Sequence, residues 1–87
     1  MSVDAKLSTL LEVAESLGIE VRHASLEGRG GGLCRIKGKR VLFVDLECDR
    51  ATRYHAVLHE ISQLPEIDDV FLGPELREDI DRYRAEQ

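Results

Sequence analysis

Cysteine is scarce in this sequence. Cys34 and Cys48 are the two thiols, too few for the disulfide framework that small secreted domains use to supplement a limited core. In a reducing compartment both are expected as free thiols. Long apolar runs are missing too. The longest, Val41-Leu42-Phe43-Val44, falls far short of the roughly 20 residues that cross a bilayer. The opening stretch, Met1-Ser2-Val3-Asp4-Ala5-Lys6, lacks the basic start and continuous apolar segment of a signal peptide. The expectation is a soluble, cytoplasmic protein with no membrane partner. Proline is down to two residues, and the 43% hydrophobic and 33% charged content is ordinary for a globular chain. No repeat, low-complexity tract or linker divides the 87 residues, so residues 1–87 are expected to form a single domain around one core.

The net charge of −5 is unevenly distributed. Arg29, Arg35, Lys37, Lys39 and Arg40 lie in a stretch without acids, whereas Glu60 to Asp81 holds eight acids and one base, Arg77. Two solvated surfaces that balance one another account for this pattern. An anion-binding patch is the alternative.

Apolar spacing predicts a helix over 3–17, with Leu7, Leu10, Leu11, Ala14 and Leu17 on one stripe, Ser2 as cap and Gly18 as stop. A strand follows over 19–25. Ile19, Val21 and His23 share one face, and Glu20, Arg22 and Ala24 the other. After the loop Glu27-Gly28-Arg29-Gly30-Gly31-Gly32 comes a predicted hairpin over 33–46. Gly38-Lys39 is read as its two-residue turn. In that register Cys34 opposes Phe43 and Ile36 opposes Val41, giving an apolar face expected to lie against the helices. Leu33, Leu42 and Val44, with Arg35, Lys37 and Arg40, fall on the other face. The register also sets Cys48 some 16 Å along the ribbon from Cys34, too far for a bridge. Asp49 caps a second helix over 50–64, with Tyr54, Val57, Leu58, Ile61 and Leu64 as its stripe. An irregular segment over 65–73 precedes a last helix that starts at Pro74 and buries Leu76, Ile80 and Tyr83. The fold class is therefore α+β: a three-stranded antiparallel sheet with helices on one face, in the order α-β-β-β-α-α.

Four groups of residues invite a chemical reading. His55 and His59 lie four apart on the second helix and face the same way, with Cys48 just before it. A zinc ion could take these three, with His23 or Cys34 completing a tetrahedron. The spacing matches no standard zinc pattern, and half-exposed histidines on a helix flank explain it equally. His59-Glu60-Ile61-Ser62-Gln63 resembles the H-E-x-x-H helix of zinc peptidases, in which both His bind zinc and Glu activates water. Here Gln63 stands at the second His position, and an amide is a poor zinc ligand, so a working peptidase is not expected. The glycine loop has no G-K-[ST] and leads into a strand, which argues against a nucleotide site. It leaves open a loose anion or nucleic-acid contact through Arg29, Arg35, Lys37, Lys39 and Arg40, on a hairpin without the exposed aromatics that stack bases. Cys34 lacks a nearby His to activate it and reads as a packed side chain. Finally, Leu33, Leu42 and Val44, left uncovered in this register, suggest a protein-docking surface.

Gly31-Gly32-Leu33-Cys34, entering the hairpin, and Pro74-Glu75-Leu76-Arg77-Glu78, opening the last helix, resemble segments of a group of small uncharacterised bacterial proteins. The resemblance implies a similar fold and no activity. It directs attention to Gly32, Cys34 and Arg77 as binding candidates, alongside Gly31 and Arg35. With no complete catalytic set, the sequence favours a non-enzymatic binding or adaptor module that pairs with a protein partner or with itself as a homodimer. A zinc-binding domain and a weak nucleic-acid binder are the alternatives.

Overall fold

The computed structural model describes residues 1–87. Helix α1 spans Val3–Ser16. Ser2 Oγ accepts the Ala5 N–H at 3.1 Å, Asp4 meets the positive end of the helix dipole, and Gly18, at φ +81°, turns the chain into β1. Strand β1 is Glu20–Ala24, β2 Gly32–Ile36 and β3 Lys39–Asp45. Helix α2, Arg50–Ser62, starts where Asp49 accepts the Thr52 N–H. A 3-10 helix, Pro65–Asp69, leads to α3, Pro74–Ala85. No helix is long and apolar enough to cross a membrane.

The sheet corrects the expected topology. Its order is β1-β3-β2, so β3 is central. β2 pairs with it antiparallel, but β1 pairs with it parallel. The sheet is thus mixed rather than wholly antiparallel. The cause is the segment between β1 and β2: instead of folding back as a hairpin, it crosses the C-terminal end of β3 and delivers β2 to the far edge.

The hairpin register also differs. Its turn residues are Lys37 and Gly38, at φ +51° and +79°, the two left-handed positions that a type I′ turn requires. Cys34 therefore opposes Val41, Leu33 opposes Leu42 and Gly32 opposes Phe43. A slip of two residues leaves each residue on its expected side of the ribbon. The ribbon as a whole is nevertheless turned over relative to the helices. Leu42 and Val44 belong to the core with Leu10, Ala14 and Ile19, and Leu33 packs against it. Cys34 and Ile36 are exposed and Phe43 is half-buried. β1 supplies the reason. Its register places Val21 beside Leu42, but Glu20 beside Val41 and Arg22 beside Phe43. The face that is purely apolar in the hairpin alone gains charges from β1, and the mixed one gains Ile19 and Val21.

Tyr54, Val57, Leu58 and Ile61 of α2 and Leu76 and Ile80 of α3 complete the core. At the junction of the three helices, Asp79 accepts hydrogen bonds from Tyr54 Oη at 2.6 Å and Lys6 Nζ at 2.9 Å. On the helix side of the sheet, Arg40 donates to Leu17 O and pairs with Glu66 at 2.8 Å.

Candidate binding groove beside the glycine loop

Asp45 organises the crossing segment. It ends β3, is 1% exposed, and its carboxylate accepts N–H groups from Leu26 at 3.1 Å, Gly30 at 3.1 Å and Glu47 at 2.9 Å. Burial opposes its charge. The bonds from Glu47, Leu26 and Gly30, with the Cys48 thiol, outweigh burial and hold its pKa at about 2. An ionised carboxylate satisfied by backbone donors is a fixed anchor for a loop with few side chains of its own. Glu27, Gly28, Gly30 and Gly31 all have positive φ. Gly31 has a further constraint: a Cβ there would lie 2.2 Å from the Phe43 carbonyl oxygen. The loop packs so closely on the end of β3 that only glycine fits.

This close approach shapes a groove on the helix-free face of the sheet. The groove holds about 390 Å³ and is lined by Leu26, Arg29, Gly31, Gly32, Leu33, Cys34 and Phe43. Its walls are mostly apolar, its rim carries one exposed cation, Arg29, and an exposed thiol, Cys34, lies on its floor. The Arg22 guanidinium lies 6.0 Å from the Phe43 ring centroid and borders the floor on the β1 side. Beyond the groove, Ile36 is 36% exposed on the same face.

Of the residues singled out from the sequence, Gly31, Gly32 and Cys34 meet here. Arg35 is on the same strand, exposed on the other face, and donates to the Gly38 carbonyl across the turn. Arg77 is elsewhere. It donates to the Ile67 and Val70 carbonyls at 3.2 and 3.0 Å and ties the 3-10 segment to α3. The metal candidates are also dispersed. His55 is exposed on α2 beside Tyr54. His59 Nδ1 is hydrogen-bonded to Tyr83 Oη, and the ring also meets the Gln63 amide. Cys48 is buried; burial and the Asp45 charge push its thiol pKa up, away from the thiolate a metal needs. His23 faces α1 across Leu11 and Glu12. No three His, Cys, Asp or Glu side chains form a group that could hold a metal ion. Leu33, Leu42 and Val44, expected to be an open surface, face the helices. The open surface is the opposite one.

Sequence reasoning missed Asp45, Leu26 and Phe43 as site residues. A signal existed for Asp45: an acid that directly ends the apolar run Val41–Val44 beside a loop rich in unpartnered amides. No protein-family model matches the chain, and no curated protein or solved structure matches it significantly.

Proposed function

We propose that this protein is a non-enzymatic protein-binding module whose docking surface is the β2 edge together with the groove beside it. The observation that carries this reading is the pairing of an apolar, loop-shaped groove with an open strand edge. Extended segments bind such surfaces by adding a strand: main-chain hydrogen bonds supply affinity, and an adjoining pocket selects alternate side chains. Several features support it. Asp45 accepts three backbone N–H groups and holds the groove wall in place rather than facing a ligand. Exposed Arg29, Arg35 and Lys37 flank the edge and favour a partner segment with acidic side chains around an apolar anchor.

Selection from a random peptide library tests the reading, with the protein immobilised sparsely enough that copies do not meet. The expected result is enrichment of extended sequences with an apolar residue flanked by acids. Their binding falls at least tenfold on Ile36→Asp and is unchanged on Phe71→Ser, a substitution at a 92% exposed residue outside the groove lining. Enrichment of nothing, or of peptides indifferent to Ile36→Asp, overturns it.

A further inference from the structure

The β2 edge differs in charge between its two ends, and that difference narrows the segment it can take. In a two-residue hairpin the residues flanking the turn exchange both hydrogen bonds, and bonded and non-bonded pairs then alternate. Gly32, Cys34 and Ile36 thus bond to β3, while Leu33 and Arg35 point their N–H and C=O groups outward from an edge no other strand covers. An antiparallel segment exchanges both bonds with each of these two residues. Parallel pairing slants the bonds and is slightly weaker per residue.

The side chains along the edge set the register. Gly32 has no side chain, and the groove lies beside it, walled by Leu26 and Phe43. A residue opposite Gly32 shares its face and projects into the groove. At the turn end, Arg35 and Lys37 are exposed and pair with no acid. At the loop end, Arg29 is already matched by Glu27 at 3.4 Å, and Glu60 Oε1 lies 4.0 Å from where a Cβ on Gly32 would sit. A partner's acid is therefore favoured beside Arg35 and disfavoured beyond the groove. Along β2, Arg35 comes three residues after Gly32, and Ile36, 36% exposed on the groove's face, comes next. We infer that the ligand is an antiparallel segment of a partner protein with the pattern apolar-acid-x-x-apolar. Its second apolar residue enters the groove opposite Gly32, its acid meets Arg35, and its first apolar residue covers Ile36. The inference deepens the binding reading above and rests on it, and it confines the flanking acids to the N-terminal side of the groove residue.

Two end-blocked peptides of one composition test direction and spacing: Leu-Glu-Thr-Thr-Leu and its reverse, Leu-Thr-Thr-Glu-Leu, each flanked by threonines. Fluorescence anisotropy should show the first binding at least about threefold tighter, in the range of an exposed ion pair. Paired antiparallel, the reverse peptide sets its acid beside Leu33 instead; parallel pairing would invert the preference. Arg35→Glu should abolish the preference, and that variant should bind Leu-Lys-Thr-Thr-Leu more tightly than the unaltered protein does. A thiol reports the register. The middle residue of the peptide opposes Cys34 in a non-hydrogen-bonded pair, with Cα atoms about 4.5 Å apart, within disulfide reach. Diamide takes one hydrogen from each of the two thiols, and a single S–S bond joins peptide to protein. With Cys48→Ser protein, Leu-Glu-Cys-Thr-Leu should be captured. Leu-Glu-Thr-Cys-Leu, whose thiol falls opposite Leu33 on the helix side, should not. Binding of neither peptide, equal binding of both, preference for the reverse, no response to the charge exchange, or equal capture of the two thiols overturns the inference. Where the library still yields peptides of another pattern that respond to Ile36→Asp, the binding reading stands without this ligand. Where it yields none, both are removed.

Discussion

At the residue scale, two side-chain choices decide whether the groove exists. Gly31 is constrained twice, by φ +77° and by the Phe43 carbonyl. Gly28 has a similar φ, +78°, but open space around it. The pair separates conformational strain from collision. Gly28→Ala should cost about 1–2 kcal/mol, the strain of a left-handed alanine. Gly31→Ala should cost at least about 3 kcal/mol, because the loop must also lift off β3. Urea denaturation of both variants measures the difference. Asp45 is the other choice. Its folded pKa lies below the ordinary value of 3.8, near 2. The stability it contributes is therefore complete above the unfolded pKa and disappears as pH falls through about 4 toward 2. Asp45→Asn replaces an acceptor-only group by one that carries donors facing three N–H groups. The variant should be less stable at pH 7, should lose less of its stability between pH 5 and 2, and should open Cys48 to thiol reagents. Denaturation midpoints across pH and the rate of Cys48 labelling, measured in a Cys34→Ser background, check all three.

At the element scale, the helices are held by a polar junction as well as by their stripes. Tyr54 of α2, Lys6 of α1 and Asp79 of α3 share one carboxylate, with Arg82 at 3.5 Å. Tyr54→Phe should cost about 1.5–3 kcal/mol, the range for a hydrogen bond to a charged group. Asp79→Ala should cost more, because it strands both the hydroxyl and the ammonium. A double-mutant cycle should give a coupling of at least about 0.5 kcal/mol. The helices were also the elements most legible in the sequence. Each carries its own stripe and its own start signal (Ser2, Asp49 or Pro74) within a dozen or so residues. The sheet was less legible because its decisive contacts are not local. Reading Lys37-Gly38 rather than Gly38-Lys39 as the turn changes the register by two without changing either face, so periodicity alone does not distinguish them. Which face is buried depended on β1, whose Glu20 and Arg22 count only once its parallel pairing with β3 is known. The groove was partly legible: Gly31, Gly32 and Cys34 were marked by composition and resemblance. Leu26 and Phe43 join them only because the loop crosses β3.

At the scale of the whole molecule, the uneven charge of the sequence is largely neutralised by folding. Of the five cations between Arg29 and Arg40, Arg40 is paired with Glu66 at 2.8 Å, Arg29 with Glu27 at 3.4 Å and Lys39 with Glu20 at 3.7 Å. The Arg40–Glu66 pair is the most enclosed, and the Arg40 guanidinium lowers the Glu66 pKa. The exposed pairs of Arg29 and Lys39 are weak, but each still places a carboxylate beside the cation that would approach a phosphate. Arg35 and Lys37 remain without an acidic partner, on a chain of net charge −5. This arrangement suits a rim that steers a protein surface of opposite sign and fits a polyanion poorly. Counterion release makes the distinction quantitative. Binding that neutralises two phosphates gives a slope of about −1.8 in log affinity against log salt for duplex DNA, whereas five free cations give about −4.5. Fluorescence anisotropy with a labelled duplex should therefore show only weak retention at low salt, a slope no steeper than about −2, and none at physiological ionic strength. A slope near −4.5 would mean that Glu20, Glu27 and Glu66 release their partners on binding. The basic hairpin would then be a nucleic-acid surface, in place of the protein-docking edge proposed above.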